Sequence, residues 1–292
     1  KKYTMHMETH VKIPNDRKKH KCLKCTYATN IFADLQKHQN RKKHTINNPN
    51  YNEKANIEAG ALEKVDNYLS KAKFTWEVII SDDGSSDGSR ELVEKFVKGK
   101  KDYTLLKNPH GGKASAILSG VKKANGEIIL FTDMDQSTPL SEIEKLLPWY
   151  EKGYDVVFGS RGVLRKNAPL IRKLAAFSFR AFRKSLLLRN ITDTQCGFKS
   201  FRAEIIKEIM PNLSLFKAKE KASGWNVSAF DVELLFMAEK SGAKLKEVVV
   251  NWRDEDQSTT KPKKFVKESL DMLKQILNVK LNDLKGVYRE SE

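Results

Sequence analysis

The chain has 292 residues, enough for one large or two modest domains around a buried core. Lys and Arg number 54 against 37 Asp and Glu, a formal charge of +17. That balance suits anionic partners such as nucleic acid, nucleotide phosphates or an acidic membrane surface, or else marks a solvated lysine-rich surface. The three cysteines, Cys22, Cys25 and Cys196, argue against a disulfide framework and for a reducing compartment. The N-terminus opens with charge rather than an apolar run, so no secretory leader is expected. No stretch reaches the ~18 apolar residues of a membrane span, so any membrane contact is expected to be peripheral.

Two unlike parts meet near residue 48. Residues 1–48 are crowded with Lys, Arg and His and short of core material. Within them Cys22-x2-Cys25-x12-His38-x5-His44 resembles a C2H2 zinc finger, in which these four residues would hold Zn2+. Tyr27 and Leu35 fall where such fingers place core residues. Ile31, Ala33, Asp34 and Lys37 would then face bases, which makes nucleic acid a candidate partner. The alternative is a disordered basic arm.

Residues 49–292 alternate short β-branched runs (77–81, 127–131, 154–159 and 247–251) with helix-like stretches (89–97 and 113–123). Strands alternating with helices predict an α/β layer fold with a mostly parallel sheet. The run 128–131 ends in Thr132-Asp133-Met134-Asp135-Gln136-Ser137-Thr138-Pro139. In open α/β sheets, ligands bind at that strand end. Alternate carboxylates there suit a hard divalent cation, or else Asp135 or Ser137 caps a helix from 139 to 147. The earlier run ends in Ser81-Asp82-Asp83-Gly84-Ser85-Ser86-Asp87-Gly88. Asp82 or Asp83 is placed to accept from a base or ribose, and Asp87 to cap a helix. Asn108-Pro109-His110-Gly111-Gly112-Lys113 is a glycine turn opening a helix, where backbone N–H groups and Lys113 could meet phosphate, or else a plain turn.

These motifs, in this order, resemble the donor-binding half of family 2 glycosyltransferases with the GT-A fold. Pro49-Asn50-Tyr51-Asn52-Glu53 matches the family's opening motif, which implies donor-site roles for Pro49, Tyr51 and Glu53. Phe158-Gly159-Ser160-Arg161, Asp193-Thr194-Gln195-Cys196-Gly197-Phe198-Lys199, Gly224-Trp225, Phe230-Asp231-Val232-Glu233-Leu234 and Val250-Asn251-Trp252-Arg253 follow the same pattern. Within the family, dolichyl-phosphate β-glucosyltransferases are the nearest likeness and the mannosyltransferases the next. The resemblance implies an inverting transfer of a hexose, from UDP-glucose, to a polyprenyl phosphate at an anionic membrane surface on the cytoplasmic side. It implies Mg2+ or Mn2+ at Asp133 and Asp135, the nucleoside at Asp82 and Asp83, and the donor at Lys113. Arg161 and Lys199 become candidates for holding phosphate oxygens, or else are surface charge. Asp193 and Asp231 would lie near the acceptor or orient Arg161.

Two departures stand out. Gln136 replaces a residue that is usually apolar in the family's acidic motif, and would face the diphosphate. Asn226-Val227-Ser228-Ala229 lengthens the junction before Phe230, which would displace Asp231 and Glu233. The segment before Pro49 is poor in apolar residues, so the family's first strand is expected to be short, polar or missing.

Residues 164–189 interleave Leu, Ile and Phe with Arg and Lys. This is either a helix lying in a membrane interface or a core helix with a basic face. Residues 265–284 form a last helix whose Val266, Leu270, Leu273, Leu277, Leu281 and Leu284 would make one buried face. Two rival readings are a nucleic-acid-binding zinc-finger protein with an inactive GT-A-like domain, and a sugar-nucleotide binder without turnover. Nothing in the sequence sets an oligomeric state.

Overall fold

The structure, a computed structural model, describes residues 25–30, 53–162, 187–188, 191–217, 230–253 and 265–288. At its centre is a seven-stranded sheet in the order β3-β2-β1-β4-β6-β5-β7. The strands are β1 (Cys25–Asn30), β2 (Val78–Asp82), β3 (Tyr103–Lys107), β4 (Ile128–Asp133), β5 (Val156–Ser160), β6 (Lys199–Arg202) and β7 (Leu245–Val249). Neighbours pair in parallel except around β6, which runs against both β4 and β5. This is the mixed, mostly parallel sheet that the alternation of elements predicts.

Strands β2, β4 and β5 are nearly unbroken apolar runs because both faces of the sheet are covered. The helices are α1 (Glu53–Glu58), α2 (Ala61–Leu69), α3 (Ser89–Val97), α4 (Lys113–Lys123), α5 (Leu147–Glu151), α6 (Ala203–Ile209), α7 (Ser214–Lys217), α8 (Phe230–Lys240) and α9 (Phe265–Leu284). Side chains alternate along each strand. On one face Ile79, Ile129, Phe131, Val156, Phe158 and Phe201 pack with α4, α6 and α8. On the other, Val78, Ile80, Ile128, Leu130 and Val157 pack with α2, α5 and Val93 of α3.

The central strand has an unexpected origin. β1 comes from residues 25–30, upstream of the boundary expected at residue 48, and pairs with β2 on one side and β4 on the other. The first strand is therefore six residues long rather than missing. Its sequence, Cys-Thr-Tyr-Ala-Thr-Asn, is partly polar but rich in β-branched and aromatic types that suit a pleated backbone. Cys25, one of the expected Zn2+ ligands, lies in this strand. The other three, Cys22, His38 and His44, lie outside the described residues, as do the base-facing positions 31–37.

Helices α3 and α4 span the ranges that sequence periodicity predicts. The helix expected from 139 to 147 is instead a 3-10 segment, Leu140–Lys145, followed by α5. Pro148 sits in the first turn of α5, where its missing N–H costs nothing. The last helix has the expected bounds but a different buried face. Ile276 and Val279 are buried, whereas Leu277, Leu281 and Leu284 are 44%, 48% and 70% exposed. Successive helix residues point about 100° apart, so packing the 276–279 stripe turns its neighbour outward. The basic stretch 163–186 lies outside the described residues.

Candidate active site

The site forms where β2, β4 and β5 end. β4 carries Asp133 as its last residue, and the chain turns sharply after it. The N–H of Ser137 donates to Asp135 Oδ1 at 2.8 Å, a local turn that fixes the second carboxylate. Gln136 takes a left-handed backbone, φ 52°. Its Nε2 donates to the Asp133 carbonyl at 3.0 Å, so this side chain braces the turn. Gly197 approaches closely from the loop before β6. A Cβ at this position would collide with the Asp133 carboxylate.

Lys113, the first residue of α4, makes an ion pair with Asp133. Burial pulls the ammonium toward neutrality, but Asp133, Asp231 and Asp135 together outweigh it and hold Lys113 above the ordinary lysine value. Two further cations join the cluster. Lys199 on β6 is fully buried, and its Nζ lies 2.6 Å from Asp231 Oδ1 and donates to the Cys196 carbonyl. This excludes the reading of Lys199 as surface charge. Arg161, just past β5, donates from Nε (2.7 Å) and Nη2 (2.8 Å) to Asp193, and its backbone N–H reaches the same carboxylate at 3.0 Å. Burial would raise Asp193, but the hydrogen bonds and charge of Arg161 win and hold it at about 2. Asp231 also acts on Arg161, so the lengthened junction before Phe230 leaves this carboxylate in the cluster.

Among the described residues, the four carboxylates Asp133, Asp135, Asp193 and Asp231 thus face three cations, Lys113, Lys199 and Arg161. The oxygen donors of Asp133 and Asp135 suit Mg2+ or Mn2+. Among the described residues no cluster of three or more potential ligands forms.

The motifs at the β2 end are tied into their own loops. Asp82 is buried, accepts from Arg90 Nε at 2.5 Å and from the Ser85 N–H at 3.1 Å, and so shapes its own loop. Asp83 accepts the N–H groups of Gly111 and Gly112, each at 2.8 Å, and lies 2.8 Å from His110 Nδ1. Burial pushes the Asp83 carboxyl up against the pull of these donors. The glycine-turn amides expected to meet phosphate are therefore taken by Asp83, which locks this turn and with it the start of α4. Asp87, two residues before α3, accepts the N–H of Ser89, the first residue of that helix, at 3.1 Å, while Gly88 takes the N-cap position.

Glu53 opens α1 and bonds Asn56 at 2.9 Å. Pro49, Tyr51, Gly224 and Trp225 lie outside the described residues. Glu233 leaves the site and accepts from Ser214 and from Tyr288. The 251–253 segment docks on the acidic turn. Asn251 makes paired bonds to Glu142 (2.9 and 3.0 Å), the Arg253 N–H donates to the Ser137 carbonyl (2.8 Å), and the Trp252 ring centroid lies 5.8 Å from the Arg161 guanidinium. Sequence reasoning quoted His110 and Asn251 only as members of motifs and gave no role to Glu142 or Glu247, whose partners are distant in the chain.

The family model for glycosyl transferase family 2 matches residues 46–210. A dolichyl-phosphate beta-glucosyltransferase of Dictyostelium discoideum is 30% identical over 258 residues, covering 82% of this chain and 75% of its own. The Homo sapiens protein of the same name is 31% identical over 262 residues, covering 82% of this chain and 76% of its own. Among solved structures, mannosyl-3-phosphoglycerate synthase from Rubrobacter xylanophilus is similar in fold, with a TM-score of 0.59 at 12% identity, over 92% of this chain and 77% of that one.

Proposed function

The chain belongs to glycosyltransferase family 2, and on that premise we propose that it transfers glucose from UDP-glucose to a polyprenyl phosphate of the dolichyl type. It is a glycosyltransferase with a GT-A-like fold. The sugar and acceptor are proposed from the relatives that carry the dolichyl-phosphate beta-glucosyltransferase name. One structural observation supports a catalytic reading over simple binding. Asp133, Asp135, Lys113, Asp231, Lys199, Arg161 and Asp193 form one linked charge network at the strand ends.

The acceptor phosphate is already anionic at neutral pH, so it needs no strong base. Its oxygen attacks the anomeric carbon as the bond to the diphosphate breaks, with inversion. Rate enhancement then rests on holding the reactants in line and on neutralising the leaving group. A divalent cation, Mg2+ or Mn2+, held by Asp133 and Asp135 supplies that neutralising charge when bound. Lys113 stands beside the same carboxylates and meets the donor diphosphate. Arg161, oriented by Asp193, holds phosphate oxygens on the acceptor side. Lys199 pairs with Asp231 and holds it in place. Asp82 and Asp83 shape the loops that receive the nucleoside, a task the family likeness also gives to Pro49, Tyr51 and Glu53 of the opening motif. No helix among the described residues is long and apolar enough to cross a membrane. Peripheral docking on the cytoplasmic side of a membrane accords with the basic charge.

The test is a donor panel of UDP-glucose and GDP-mannose with polyprenyl phosphate, with and without EDTA, read as radiolabelled glycolipid. Glucosyl lipid from UDP-glucose, lost with EDTA and reduced at least ~100-fold in Asp135→Ala, is expected. A well-folded protein that forms no glycolipid from either donor would overturn the proposal.

A further inference from the structure

Glu247 sits on β7, opposite Phe158 of β5 in the parallel register. Its carboxylate accepts the N–H of Thr192 at 2.7 Å and of Asp193 at 2.8 Å, as well as the Thr192 hydroxyl. These donors belong to residues 191–198, which form neither helix nor strand. Asp193, whose backbone Glu247 holds, is the residue whose side chain grips Arg161 at three points. Arg161 itself follows directly from β5. The β5–β7 pair thus supplies both ends of one relay. β5 delivers the guanidinium, and β7 delivers the carboxylate that fixes the loop facing it.

We propose that Glu247 is a positioning residue for transfer: by pinning the Thr192–Asp193 backbone, it makes Asp193 present both oxygens to Arg161 and so sets the direction of the guanidinium. A carboxylate suits this task because it accepts from several donors at once. An amide would turn an NH2 group toward one of the two backbone N–H groups and lose that bond. Precision matters because Arg161 also feels Asp231, which already pairs with Lys199. A guanidinium freed from Asp193 would be drawn toward that second carboxylate and away from its working position. The activity arm of this inference rests on the proposed phosphate-holding role of Arg161, whereas the geometric arm does not.

The test compares Glu247→Gln, Asp193→Asn and the double variant in the full chain. Glu247→Gln is expected to lower kcat/KM about 100-fold, as a small misplacement of a positioning group does, while KM for the nucleotide sugar holds. The double variant should be no slower than Asp193→Asn, because both act through one contact. A second readout is independent of catalysis: solvent exchange of the Arg161 Nε–H by NMR, slow in the wild type, should quicken about 10-fold in Glu247→Gln. Losses that multiply in the double variant, or an unchanged Nε–H signal in folded Glu247→Gln, would overturn the proposal. If Arg161→Ala transfers at the wild-type rate, the phosphate-holding reading fails, and the NMR result still decides the role of Glu247. Should Glu247→Gln not fold, Thr192→Val removes the hydroxyl contact alone and should shift the same signal in the same direction.

Discussion

Gly197 lies so close to Asp133 that any side chain would displace the carboxylate. Gly197→Ala is therefore expected to keep the fold but cut kcat/KM on the order of 100-fold, because the carboxylate proposed to hold the divalent cation would move. Steady-state kinetics beside a melting curve checks this. The Asp193–Arg161 pair has a consequence for acid stability. Its carboxyl is held at about 2, below the ~3.9 of an unfolded chain. A depressed carboxyl contributes stability above the unfolded value and loses it as pH falls from about 4 to about 2, here amounting to about 2–3 kcal/mol. Urea unfolding of wild type and Asp193→Asn should thus differ at pH 7 and converge near pH 2. Lys199 is a different case, since its pair with Asp231 is buried. Lys199→Met strands a buried carboxylate and is expected to cost about 3–5 kcal/mol by chemical denaturation. Adding Asp231→Asn should recover part of that loss.

At the scale of elements, the parts that can be read from the chain are those whose signal is local. The bounds of α3, α4 and α9 follow from helical periodicity. Asp133, Asp135, Lys113 and Arg161 stand out because each lies at or just past the end of a strand or opens a helix, and Asp193 because it sits in a motif of recognisable order. What escaped is non-local. β6 is four residues long and contains a lysine, and it becomes a strand only by pairing with β4 and β5 on either side. The outward face of α9 could not be read because two apolar stripes compete and only packing chooses between them. Glu247 lay hidden because its partners are loop amides more than 50 residues upstream. β1 was masked by a finger-like spacing of cysteines and histidines. As a central strand it should not tolerate a missing N–H. Ala28→Pro is expected to cost about 3 kcal/mol or more, with Ala28→Val as a milder control, measured by thermal and urea unfolding.

The whole molecule makes the sharpest test of the N-terminal segment. Were residues 1–48 an independent module, removing them would leave the melting transition of residues 49–292 intact. With β1 hydrogen-bonded at the centre of the sheet, the truncated chain should lose its cooperative transition and precipitate. The same strand sets the order of events during synthesis. Of the described strands β1 leaves the ribosome first, but its partner β2 follows about 50 residues later and β4 about 100 residues later, so the middle of the sheet closes through long loops. The earliest-made strand waits unpaired longest, at the stage when exposed edges invite aggregation. Production of this protein should therefore respond more to translation speed and temperature than its helix-rich layers alone would suggest.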